Sequence, residues 1–120
     1  MLVYRIEHKD IGKGPYRSEL PICRKLGDKH IGKDWPQVSL STFMKVKKKG
    51  RTFFGFSSLR ELMNWFSEDE IIELYDNDFC ITVYKVHKKF VSKDFKQCCF
   101  VITESDRIKK IDFDLFCRLV

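Results

Sequence analysis

The N-terminal run MLVYRIEH alternates moderately between polar and apolar side chains and is rich in β-formers, which predicts a first strand over residues 2–7. KDIGKGPYR ends it, with Gly12, Gly14 and Pro15 marking a turn. Between residues 18 and 36 the period breaks. SELPICRKLGDKHIGKDWP mixes prolines and glycines with many charges, so a long irregular loop is expected there, with room for a short helical turn at residues 22–26. Such a segment is uncommon in a compact domain unless it has a function, and Ile22, Ile31 and Trp35 are expected to pack it down. VSLSTFMKV and RTFFGF then read as the arms of a β-hairpin, with KKKG as the turn and Lys47, Lys48 and Lys49 at its exposed tip.

The following stretch changes period. Ser58 and Glu61 fit the S-x-x-E capping box, in which the serine hydroxyl accepts from the third helical N–H and the glutamate reaches back to the cap N–H. Leu59, Leu62, Met63 and Phe66 fall at i, i+3, i+4 and i+7, one apolar stripe with Trp65 beside it. A second box, Ser67 with Glu70, starts another helix through EDEIIELYDN, whose early acids suit the positive end of the helix dipole. FCITVYKVHKKFV is strongly β, with Ile81, Val83 and the Lys85 stem on one side and Cys80, Thr82, Tyr84 and Val86 on the other. After a turn at SKDFK, QCCFVIT is apolar nearly throughout and predicts a central strand. A final strand is expected at residues 108–113. Strands outnumber helices and short turns join them, so the predicted fold is α+β: one domain, a mainly antiparallel sheet, two short consecutive helices and the long irregular loop.

Composition narrows the functional classes. At 120 residues and 43% hydrophobic, the chain is sized for a single domain over residues 1–120. No apolar run approaches the roughly 18 residues of a membrane span, and the N-terminus lacks a basic region followed by an apolar stretch, so a soluble, cytoplasmic protein without membrane contact is expected. Cys23, Cys80, Cys98, Cys99 and Cys117 form an odd set with no C-x-x-C spacing, which predicts reduced, mostly core thiols and no metal site. The net charge of +6 is unevenly spread. SEDEIIELYDND carries six of the 17 acids and no base, leaving 23 bases against 11 acids elsewhere. That basic surface suits phosphates, nucleic acid or an acidic protein face.

Candidate chemistry is sparse. No cysteine–histidine signature of a thiol hydrolase is present, and the G-x-G of GKGPYR lacks the third glycine and the GK[ST] of phosphate loops, leaving Lys13 and Arg17 beside an ordinary turn. His30, inside the expected loop, reads first as a loop residue bonded to a backbone carbonyl and second as a ligand-orienting or acid–base group, while His8 and His87 follow strands and read as surface. Basic residues interleave with aromatics in KVKKKGRTFF and VYKVHKKFVSKDFK, the composition of phosphate tracks, which makes Lys47, Lys48, Lys49 and Arg51 candidate contacts for nucleic acid or an acidic partner. Lysines protecting an edge strand have the same look.

YRIE, GKGPYR, KHIGKDWP and FGFSSLRELMNWF, taken in order and spacing, resemble a group of small, uncharacterised phage and prophage proteins with a YR-x-E start, a G-x-GPY-R turn, a His-Pro-type loop and FGF-x-SLxxLxxWF before a VYxV strand. Here Ile31, not proline, follows His30. The resemblance implies an accessory or inhibitor protein that binds a host protein or complex in the host cytoplasm, countering host defence or redirecting host machinery, with no cofactor. The layout is also remotely similar to small ADP-ribosyltransferase folds. That likeness implies an enzyme or nucleotide binder for nicotinamide dinucleotide (NAD), with Arg5 on a phosphate or ribose, Tyr16, Phe54 and Phe56 stacking, Arg17 and Ser57 lining the corner, and Glu104 and His30 as catalytic groups. A nucleic-acid-binding module using the basic tip is the third expectation.

Overall fold

A computed structural model describes residues 1–10, 12–16, 20–30, 39–94 and 97–120, the side chains of 29 and 30 excepted. In chain order the elements are β1 (Leu2–His8), α1 (Pro21–His30), α2 (Leu40–Lys47), β2 (Thr52–Gly55), α3 (Leu59–Trp65), α4 (Glu68–Asp76), β3 (Phe79–Val86), β4 (Val91–Lys93), β5 (Cys98–Val101), β6 (Ser105–Ile111) and α5 (Phe113–Leu119). The strands form two three-stranded antiparallel sheets, β1-β3-β6 and β2-β5-β4. The fold is α+β, as the sequence implies.

Strand alternation divides the interior into three layers. Ile6, Ile81, Val83 and Ile111 on one face of the first sheet pack against Leu26 of α1, Leu62 of α3, Ile71 and Leu74 of α4 and Phe116 of α5. Val3, Tyr84 and Val86 on its other face meet Cys98 and Phe100 of the second sheet. Cys99 and Val101, the alternate residues of β5, lie against Val46 of α2. The order is therefore helices, sheet, sheet, helix, and β3 and β5 are the central strands covered on both faces.

The two sheets are stitched where Tyr4 and Phe56 exchange backbone hydrogen bonds of 2.7 and 2.8 Å. Gly55 makes that approach possible. A Cβ there would lie 2.5 Å from Val3 Cγ1 and 3.0 Å from the Tyr4 carbonyl oxygen.

Four expected elements differ. Residues 21–30 of the expected irregular loop are helix α1: Pro21 occupies the first helical position, where its missing N–H costs nothing, and Ile22, Cys23 and Leu26 bury at helical spacing. Residues 17–19 and 31–38, with Ile31 and Trp35, lie outside the described residues. The first arm of the expected hairpin is α2, because the Ser39 side chain accepts from the Thr42 N–H and Thr42 and Val46 bury at i and i+4. The partner of β2 is accordingly β5, Thr52 opposite Val101 through Gly55 opposite Cys98. The long strand expected through Val91 breaks at His87, whose Nδ1 accepts from the Lys89 N–H and caps a 3-10 turn, Lys88–Phe90, that carries the chain to the second sheet as β4. The last strand runs earlier than expected because Asp112 caps α5, its carboxylate accepting from the Leu115 N–H at 2.8 Å.

The two consecutive helices stand as read. Ser67 and Glu70 form a complete capping box. At α3 the serine half is present, but the Glu61 carboxylate reaches one residue further, to the N–H and Oγ of Ser57.

Candidate polyanion-binding groove

The crossing of α2 over β4 builds an open concavity lined by lysines. Lys45, Lys48 and Lys49 come from the last turn of α2 and the turn after it, and Lys88 and Lys89 from the 3-10 turn between the sheets. Together they line an open groove of about 440 Å³ whose floor is Val46, Val91 and Ser92. No acid lines it among the described residues. All five lysines are exposed. Lys49 Nζ donates to the Lys89 carbonyl at 2.6 Å, tying the two walls together, and Lys89 Nζ lies 5.1 Å from the centre of the Phe90 ring. No aromatic ring lines the groove; Phe90 is half-buried between the inter-sheet and α2 layers, and Phe54, on β2, is partly buried and stacks on Phe43 at 5.9 Å.

The Phe53–Phe56 corner is a different kind of place. Arg5 stands in the inter-sheet layer, its Nε on Glu7 at 3.1 Å, one terminal nitrogen on the Phe54 carbonyl at 2.9 Å and the other on the Gly12 carbonyl at 3.3 Å. Its guanidinium lies 4.5 Å from the Phe53 ring centre, and that of Arg51 5.0 Å from the same ring. Glu7 is buried and accepts also from the Tyr84 hydroxyl, whose own ionisation is pushed up by burial and then by that carboxylate. Arg5 thus ties the first turn and β2 to β1.

Other expected site residues are dispersed. Tyr16 stacks on Phe66 at 6.0 Å and its hydroxyl accepts from the Trp65 indole N–H at 2.8 Å, with burial raising its ionisation. Phe56 belongs to the same helix-side core, whereas Phe54 belongs to the α2 layer. Ser57 serves Glu61, whose carboxyl is held below its ordinary 4.5 first by the Ser57 hydroxyl and, more weakly, by Lys93. Glu104 is exposed in the 3-10 turn between β5 and β6. His30 ends α1, its side chain outside the described residues, and Arg17 is likewise outside them. Of the basic-tip candidates, Lys48 and Lys49 line the groove, while Lys47 closes α2 and Arg51 faces Phe53.

A family model for the bacteriophage T4 Y00F protein matches residues 1–114. The chain belongs to that family. No curated protein and no solved structure matches it. The match to this phage family spans every residue of the groove and of the Arg5 corner. Among the described residues no helix is long and apolar enough to cross a membrane, and no group of three or more metal-ligating side chains gathers. Cys98 and Cys99 point into different layers, and burial pushes both thiols up, Cys98 to about 12.

Three groove residues were not singled out from sequence. Lys45 lies in KVKKKGRTFF and Lys88 and Lys89 in VYKVHKKFVSKDFK. The signal was the pair of basic, aromatic-rich stretches, and the fold supplies their juxtaposition.

Proposed function

We propose that this phage protein is an accessory factor that works in the host cytoplasm by stoichiometric binding of a host macromolecule, with the lysine groove as its contact, and so blunts host defence or redirects host machinery. One observation carries the reading: two basic segments, 40 residues apart at their Lys49–Lys89 bond, converge on one groove lined by no acid among the described residues. Holding five like charges together raises the free energy of the free protein, and an anionic partner relieves that repulsion on binding. The nucleotide-transferase reading finds less support, since the Arg5 nitrogens already bond Glu7 and two carbonyls, and Phe54 and Phe56 lie in separate layers.

The test is capture from host lysate on immobilised protein, comparing the wild type with K45Q/K48Q/K88Q. A retained, salt-elutable macromolecule that the variant loses is the expected result. Equal retention by the variant would place the contact elsewhere.

A further inference from the structure

The groove also carries a statement about the class of its partner, which rests on the polyanion reading above. We propose that it binds duplex nucleic acid through the phosphate backbone, without reading sequence. The argument is from what lines it. Cores of protein–protein interfaces are enriched in aromatics and arginine and depleted in lysine. This groove has the opposite make-up, five lysines over a floor of valine and serine. Lysine is a mobile point charge suited to phosphates, whereas a fork such as arginine is what grips a guanine edge, and no arginine lines the groove.

Single-stranded nucleic acid is disfavoured by the same inventory. Binding it requires aromatic platforms for unstacked bases. Here Phe90 is half-buried between two layers with Lys89 Nζ 5.1 Å from its ring centre, and Phe54 is partly buried and stacked on Phe43, so neither is a fully open platform for a base. What remains is a track of charge, matched to a duplex that carries one phosphate charge per roughly 1.7 Å of axis. The walls belong to α2 and to the turn joining the two sheets, and the packing of α2 on β4 and β5 sets their spacing. Lysines spread over such a face meet successive phosphates at little reorganisation cost.

Fluorescence anisotropy on labelled duplexes of about 20 base pairs and unrelated sequence tests this, with an oligo-dT strand and polyglutamate as the other probes. The expected result is similar affinity for all duplexes, within about threefold, weaker binding of oligo-dT, and a slope of log K against log salt near −4, since five lysines set a ceiling of about −4.5. K48Q/K88Q should flatten the slope by about 2. The control K109Q/K110Q, on exposed β6 positions outside the groove lining, should leave it unchanged. Strong sequence preference, tighter binding of oligo-dT, or a slope insensitive to K48Q/K88Q would each overturn the proposal. Binding of polyglutamate but no duplex, lost in K48Q/K88Q, would overturn the nucleic-acid assignment and leave the polyanion reading standing. Binding of neither would remove both.

Discussion

At the residue scale, the side chain that decides most is Glu7. It is only 3% exposed, and it is tolerated because Arg5 and the Tyr84 hydroxyl both donate to it in the inter-sheet layer. A buried pair of this kind contributes little net stability, because desolvation offsets attraction, yet breaking it strands a charge. Glu7→Ala is therefore expected to cost about 3–5 kcal/mol in urea unfolding. Replacing Arg5 and Glu7 together by apolar residues of similar volume should restore much of that loss. If the double variant is as unstable as the single one, the network matters through geometry and not through the uncompensated Arg5 charge. The carbonyls of Phe54 and Gly12 that complete the Arg5 shell come from two other segments.

At the element scale, the helix starts show how local signals translate. Ser67 and Glu70 satisfy each other's segment, and α4 begins where its capping box says. At α3 the glutamate instead accepts from Ser57, in a hydrogen bond of 2.6 Å from the hydroxyl, which anchors the Gly55 corner to the helix. The Glu61 carboxyl is held below its ordinary 4.5 in the folded protein. A lowered folded value means a contribution fully present above the unfolded pKa and lost as pH falls through the folded one. Acidification below about 4.5 should therefore remove that contribution, and Glu61→Gln should flatten the acid limb of stability measured by urea unfolding across pH. An identical acid limb in wild type and variant would show that this bond is replaced by water at no cost. On β6, the register slips between Val83 and Tyr84 of its partner, leaving Ile108 outside the pairing and 51% exposed. The bulge and the neighbouring lysines blunt an edge that is otherwise open to another strand.

At the scale of the whole molecule, the layering separates the charges. The acidic α4 covers the helix side of the first sheet, and the lysine groove lies where α2 crosses the second. Between them lies the inter-sheet layer. Cys98 sits there fully buried, its thiol pushed up to about 12, whereas Cys117 is exposed on α5. With a thiol reagent at neutral pH, Cys117 should label at once and Cys98 only at the rate of global unfolding, because reaching it requires the sheets to part. Peptide mapping of a labelling time course reads both rates. Labelling of Cys98 well ahead of unfolding would mean that the two sheets separate locally.

What the sequence determined by itself is the part whose signal fits within a few residues. Serine caps at Ser58 and Ser67, the alternation through Tyr84 and the apolar run around Phe100 specify helices α3 and α4, the strand β3 and the central strand β5, because capping and periodicity are local physics. The helical identity of α2 was masked by β-prone residues and decided by burial of Thr42 and Val46 against β5. The partner of β2, the stitch at Tyr4–Phe56 and the convergence of Lys45, Lys48 and Lys49 with Lys88 and Lys89 join segments tens of residues apart. No local preference encodes those contacts. They follow from a stacking in which both faces of β3 and β5 leave water, and that is decided by the tertiary structure.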